Sequence, residues 1–193
     1  AFHENGAGVN TDIISTAVVT LGIWEHVAII RDATKKTYQF VINGVAETPQ
    51  VYTTNPTGGS NSRMTIGRST NLASQWTQGF IEDVRVYDRT LTLREIDSLR
   101  RGFHIAKDLV GWWPLHSKSS PIRDYSGNAQ HGIVTGAIFS SEVHPGRISM
   151  YANLLRIRGV DFMPKVVTGR GFPVRNFDGV DDYVRAGNPL SLQ

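Results

Sequence analysis

Asn43-Gly44 sits at the end of a strand-like run and constrains the fold of this chain more than any other feature. Both residues tolerate positive φ, so the pair makes a tight turn that brings one strand back beside the next. The run before it, Thr37–Ile42 (TYQFVI), is rich in β-branched and aromatic side chains, which suit a pleated, half-buried surface. Two more runs of this kind precede it, residues 15–23 (STAVVTLGI) and 24–32 (WEHVAIIRD), with a polar turn over 32–36. Three strands with short polar turns between them are a β-meander, and such strands pair antiparallel.

The pattern continues downstream. Residues 55–61 (NPTGGSN) can only be a loop, and strands are expected over 63–68 (RMTIGR) and 79–87 (GFIEDVRVY). One helix interrupts them. Thr92-Leu93-Arg94-Glu95 is a capping box, in which the Thr hydroxyl accepts from the Glu95 N–H and the Glu side chain reaches back to the Thr92 N–H. Leu93, Ile96 and Leu99 then fall on one helical face, so a short amphipathic helix should lie against the sheets. After a connector over 102–107, residues 109–115 (LVGWWPL) form a strand closed by Pro114, which favours an edge position. Residues 123–132 are turn-rich, Ile133–Thr135 is a short strand, and 174–184 (VRNFDGVDDYV) reads as two strands around an Asp178-Gly179 turn. The stretch 138–176 has no clean periodicity and reads as a long excursion or an extra hairpin.

Composition sets bounds on function. The chain of 193 residues is long enough for one sandwich-sized core, and its 19 glycines suit many short strands joined by tight turns. No apolar run approaches the ~20 residues of a membrane helix. The N-terminus lacks both a starting Met and a leader pattern, which implies a processed chain or a piece of a longer one. The absence of cysteine excludes disulfides and thiolate metal sites. The formal charge of +3 is mild, with basic residues concentrated at Arg147, Arg156, Arg158, Lys165, Arg170 and Arg175. These form either a solvated face or a contact for an anionic partner such as an acidic glycan or another protein. No helical basic stripe or base-stacking platform accompanies them, so no nucleic acid is expected.

Taken together, these motifs resemble the laminin-G-like domains of the concanavalin-A-like lectin/glucanase superfamily. The first half carries what resembles the family's later motifs: Gly22 to Ala28 (GIWEHVA), Arg31-Asp32, Val41 to Val45 (VINGV), Ile66-Gly67-Arg68, and Gly79 to Thr92 followed by Glu95-Ile96. The second half carries the early ones: Leu109 to Leu115, Asp124 to Asn128 (DYSGN) with His131-Gly132, and Phe177 to Val184 (FDGVDDYV). The resemblance implies an all-β fold, an antiparallel β-sandwich (concanavalin-A-like jelly roll) with one short helix. It also implies that the halves are exchanged. Residues 1–101 are the closing half and 108–193 the opening half, either as a slice across two tandem repeats or as a permuted domain, which nearby jelly-roll termini permit. An aromatic-rich inner strand of the family is absent, so a neighbouring chain or repeat is expected to complete the sheets.

The residues offer little for catalysis. Glucanases of the superfamily place carboxylates at alternate positions of one strand, whereas Glu82 and Asp83 are adjacent, as are Asp181 and Asp182, and neighbours on a strand point to opposite faces. No Gly-x-Ser-x-Gly elbow or His-Glu-x-x-His helix is present, so no enzyme activity is expected. The Asp124–Asn128 turn offers an oxygen-only ligand set, and the resemblance implies one structural calcium ion held by Asp124 and Asn128 with help from Asp83. The competing reading is an Asx turn on its own backbone. Trp76, Tyr52, Tyr125 and Tyr151 are candidate glycan or partner contacts, since sugar C–H faces stack on exposed rings. Of the strand-borne Trp24, Trp112 and Trp113, at least some should be core. The expected role is a non-catalytic lectin-like module for binding or adhesion, extracellular or at the cell surface, that recognises a glycan or a protein surface. The alternative is a structural or decoration protein of a larger assembly such as a phage virion, displayed on the virion surface.

Overall fold

The computed structural model describes residues 2–6, 9–53, 64–68, 76–143, 173–178 and 183–185. Among the described residues there are fourteen strands and one helix, and every strand pairing is antiparallel. The chain divides into two compact units, Ala1–Ser60 with Arg89–Ile105 and Leu192–Gln193, and Asn61–Asp88 with Ala106–Ser191.

The first unit opens with a hairpin of β1 (Phe2–Gly6) and β2 (Val9–Ile13). Its main sheet holds β3 (Val27–Asp32), β4 (Thr37–Ile42), β5 (Val45–Ala46) and β6 (Gln50–Val51). The Asn43-Gly44 turn forms as its chemistry dictates, with φ of 52° and 85°. Tyr38 and Phe40 alternate with Gln39 along β4 and pack with Ile13 and Tyr52 into a core, where the Tyr38 and Tyr52 rings lie 5.0 Å apart. Arg31 borders this core, its Nε donating to the Tyr38 hydroxyl at 3.0 Å.

Residues 15–23 form no strand, contrary to their β-branched composition. A distant side chain and one turn take up part of the backbone instead. Glu47 accepts from Ser15 Oγ at 2.6 Å, Thr16 N at 3.0 Å and Ala17 N at 2.8 Å, and Ile23 N donates to Thr20 O across a turn in which Gly22 has φ 77°. The next strand likewise starts only at Val27, because the Asn43 side chain takes the His26 N–H at 2.9 Å and ends the ladder there.

Helix α1 (Leu93–Arg100) has the capping box read from its sequence and buries Ile96 and Leu99. Hydrogen bonds from Arg89 and from Thr92 hold the Glu95 carboxyl down to about 2 from its ordinary 4.5. The lowered pKa makes the cap strongest above the unfolded value, and it is lost as pH falls through about 2. Thr92→Ala should cost about 1 kcal/mol of stability, read as a lowered denaturant midpoint, with Thr92→Ser close to wild type.

The second unit joins strands from two separate stretches of the sequence. It holds β7 (Thr65–Ile66), β8 (Gln78–Ile81), β9 (Val84–Tyr87), β10 (Leu109–Trp113), β11 (Ile133–Thr135), β12 (Ile138–Val143), β13 (Pro173–Asp178) and β14 (Tyr183–Arg185). β7 pairs with β14, β8 with β13 and β9 with β10. Each of these three late strands of the first half thus takes an antiparallel neighbour from the second half, so residues 61–88 leave the 1–101 segment and fold with the chain after 105. The expected single strand over 79–87 is broken at Glu82-Asp83, where Asp83 has φ 53°, a conformation that cannot continue a ladder. Part of the aperiodic stretch is ordered as β12 and β13 pairing with each other. Ile66, Trp113, Leu115, Ile122, Ala137 and Val184 form the core of this unit.

Candidate functional site

Successive side chains of β10 point to opposite faces, which sends Trp113 into the core and Trp112 the other way. The β9–β10 register sets Arg85 directly across from Trp112, and its guanidinium lies over the indole at 4.8 Å. Arg85 also grips Asp83 two residues back, with Nε to Oδ1 at 2.9 Å and an Nη to Oδ2 at 3.0 Å, both side chains being nearly buried. The Trp112 indole N–H donates to the same Asp83 Oδ1 at 2.8 Å. Asp83, Arg85 and Trp112 therefore form one closed cluster with a charge-assisted bidentate pair inside it.

Trp112 is fixed at its backbone as well. Asp124 Oδ1 accepts from Trp112 N at 2.9 Å and Ser126 N at 2.8 Å, while Oδ2 accepts from Ser126 Oγ at 2.8 Å and Gln130 N at 2.9 Å. Burial raises the Asp124 pKa, but the hydrogen bonds from Ser126, Trp112 and Gln130 outweigh it and hold the carboxyl below its ordinary value. The Asn128 amide donates to Leu109 O at 3.1 Å and Val110 O at 2.9 Å, tying the turn to β10.

These positions do not fit a calcium ion. The four lone-pair sites of Asp124 already meet four donors, Asn128 turns its NH₂ group to the strand carbonyls, and Asp83 is neutralised by Arg85. Among the described residues no group of three or more His, Cys, Asp or Glu side chains could hold a metal ion. The Asx-turn reading matches this geometry.

The aromatic candidates separate. Tyr125 is 41% exposed, its ring 5.7 Å from Trp112 and 6.4 Å from His116, with the Arg123 guanidinium 5.3 Å over it. Tyr52, expected at the surface, is only 2% exposed, because it packs on Tyr38 in the first unit's core. Trp76 is half-buried, bridged to Arg68, whose guanidinium covers the indole at 5.1 Å. Tyr151, like Asp181 and Asp182, lies outside the described residues.

His116 and Arg123 were not read from the sequence, because no motif marks them and only the fold brings them to Tyr125. Burial lowers the His116 pKa, and the nearby Asp83 charge opposes this without reversing it, so the imidazole is neutral at pH 7. The imidazole thus stands beside an exposed ring and a cation. Glu82 and Asp83 sit between strands, so the argument from opposite strand faces does not apply to them. What removes Asp83 from acid–base work is its ion pair with Arg85.

Antiparallel sheets, a Trp-bearing strand and a single capped helix define a β-sandwich of the jelly-roll class. The laminin G family model described as the concanavalin A-like lectin/glucanases superfamily matches residues 1–97, and the chain belongs to that superfamily. Its fold therefore makes it a lectin-like or binding module in the general sense. The chain has no significant match among curated proteins or solved structures. Among the described residues, no helix is long and apolar enough to cross a membrane.

Proposed function

We propose that this chain is a non-catalytic, lectin-like module that binds a glycan or a protein surface, at the cell surface or outside the cell. The observation that supports it is the exposed Tyr125 ring set beside Arg123 and His116 on a base held rigid by Asp124, Trp112, Asp83 and Arg85. A sugar ring stacks its C–H face on an exposed aromatic ring face, and a guanidinium beside it bonds the sugar hydroxyls or an acidic substituent. Preorganisation matters here, because a site that is already ordered loses less entropy on binding. The non-catalytic reading is supported, among the described residues, by Asp83 and Asp124, whose carboxylates are both taken up by structural partners. In the same proposal the chain is a permuted jelly roll, its closing half over 1–101 and its opening half over 108–193, and the pairings β7–β14, β8–β13 and β9–β10 support that reading.

The test is a glycan array followed by calorimetry on the best binder. Tyr125→Ala should weaken binding by roughly five- to 150-fold, since a stacked aromatic contact contributes on the order of 1–3 kcal/mol, with the melting temperature nearly unchanged. Undiminished binding by Tyr125→Ala removes this site from the proposal. A second reading, a structural subunit of a larger assembly such as a virion, is favoured by a different feature: the bare aliphatic surface of residues 14–23 in the first unit.

A further inference from the structure

We infer that residues 14–29 form a self-association surface whose occupant is the same surface of a second copy of this chain. Ile14, Val18, Val19, Leu21 and Ile23 are each at least 60% exposed, and Leu21 reaches 94% at the tip of the Thr20–Ile23 turn. Chain continuity through Trp24 leads to β3, where Val27 and Ile29 share one strand face and are also exposed. Monomeric surfaces scatter such side chains singly, and a contiguous run of this kind marks an interaction site.

The segment is held in place rather than left loose. Glu47 grips Ser15, Thr16 and Ala17, and Gln50 Nε2 donates to Ile14 O at 2.6 Å, so the base of the projection is fixed to the β4–β6 sheet region. Docking through it therefore costs little ordering entropy. Hydrogen bonds from Ser15 and from Ala17 keep the Glu47 carboxyl below its ordinary value, so this anchor is charged throughout the neutral range.

Chemistry and area both point to a second copy. No charged residue lies between Ile14 and Trp24, and Glu25 is the one carboxylate within 14–29, so the aliphatic stretches of two copies meeting about a two-fold axis set no like charges against each other. At roughly 100 Å² of apolar side chain each when bare, these seven residues offer on the order of 450 Å². A standard interface takes about 800 Å² per partner, of which a homodimer makes roughly 65% apolar, so the patch supplies about the apolar core one requires. The inference is independent of the Tyr125 site, which lies in the other unit.

Sedimentation equilibrium on the full chain is the test. The wild type should run at twice its 21.3 kDa mass, and Leu21→Glu should run as a monomer or weaken the dimer by at least about tenfold, with an unchanged melting temperature because Leu21 packs on nothing in the single chain. Tyr125→Ala should remain dimeric, which separates failure of this surface from failure of the ligand site. A wild-type chain that stays monomeric at about 100 μM, where even weak specific dimers populate, overturns the inference. A dimer equally tight in Leu21→Glu overturns it as well. So does a monomer that sediments with phosphatidylcholine vesicles through Leu21, which would assign the patch to a lipid surface.

Discussion

Asp124→Ala should destabilise the second unit by about 3–5 kcal/mol, the sum of several buried donors losing their acceptor at once. The carboxylate is buried and accepts from the backbone N–H groups of Trp112, Ser126 and Gln130 and from the Ser126 hydroxyl. Alanine leaves three backbone donors unpaired where the 123–132 turn meets β10. Asparagine does little better, because its NH₂ group faces two of those donors. The folded-state pKa is lowered, so the stabilisation is complete above the unfolded value and disappears as pH falls below 3.8 through the folded one. A Tm series from pH 7 to pH 2, with loss of near-ultraviolet dichroism from Trp112 and Trp113, measures this, and the Asp124→Ala protein should show a flatter acid limb. Excess EDTA should leave the wild-type Tm unchanged. A clear drop on chelation means that a bound ion, and not these four donors, holds the turn.

The second large effect falls on a glycine whose value is the space it leaves empty. A Cβ at Gly111 would lie 2.7 Å from Cζ3 and 2.8 Å from Cζ2 of Trp113, well inside contact distance, and would also strike Cη2. The ring cannot swing away. Trp113 is wholly buried among Ile66, Leu115, Ile122, Ala137 and Val184, and its indole N–H donates to Gln130 O at 2.7 Å. Gly111→Ala is therefore expected to cost about 3 kcal/mol or more, at the upper end of overpacking effects. Trp113→Leu also destabilises, by opening a cavity. In that background, however, Gly111→Ala should be far milder, and a double-mutant cycle reports the coupling directly. Additive costs would mean that Gly111 is required for some other reason, such as the register shift between Leu109 and Gly111 where β10 pairs with β9.

Both effects concern residues that lie in legible motifs, yet neither role follows from the motif. The turn residues Asp124, Ser126 and Asn128 can be read as an oxygen-rich loop from their order alone. Whether those oxygens face an ion or the backbone depends on where β10 runs, and Trp112 N is the donor that decides it. Asp83 illustrates the same point. Its ion pair with Arg85, two positions on, depends on the break in the strand at Asp83, where φ is 53°, and no strand or helix periodicity marks that break in the sequence. Tyr52 and Tyr125 look alike in sequence, each an aromatic near a turn. One closes a core against Tyr38 and the other stays half-open beside Arg123, because burial is a property of what packs on a segment and not of the segment.

Local chemistry fixed the elements whose conformation their own residues settle, wherever their partners lie. TYQFVI with its Asn43-Gly44 turn, the Thr92–Glu95 cap, the Trp-Trp-Pro strand and the short strand at Ile133–Thr135 form as their residues dictate, since each is settled by turn geometry, capping or alternation within a few residues. Tertiary structure alone decided the rest. Residues 15–23 are β-branched enough for a strand, but Glu47, some thirty positions away, satisfies their backbone first. The pairing of β7, β8 and β9 with β14, β13 and β10 joins positions far apart in sequence, and no local signal specifies such a register. Backbone hydrogen bonds must be met somewhere, and over long separations only the competition among all available partners selects where.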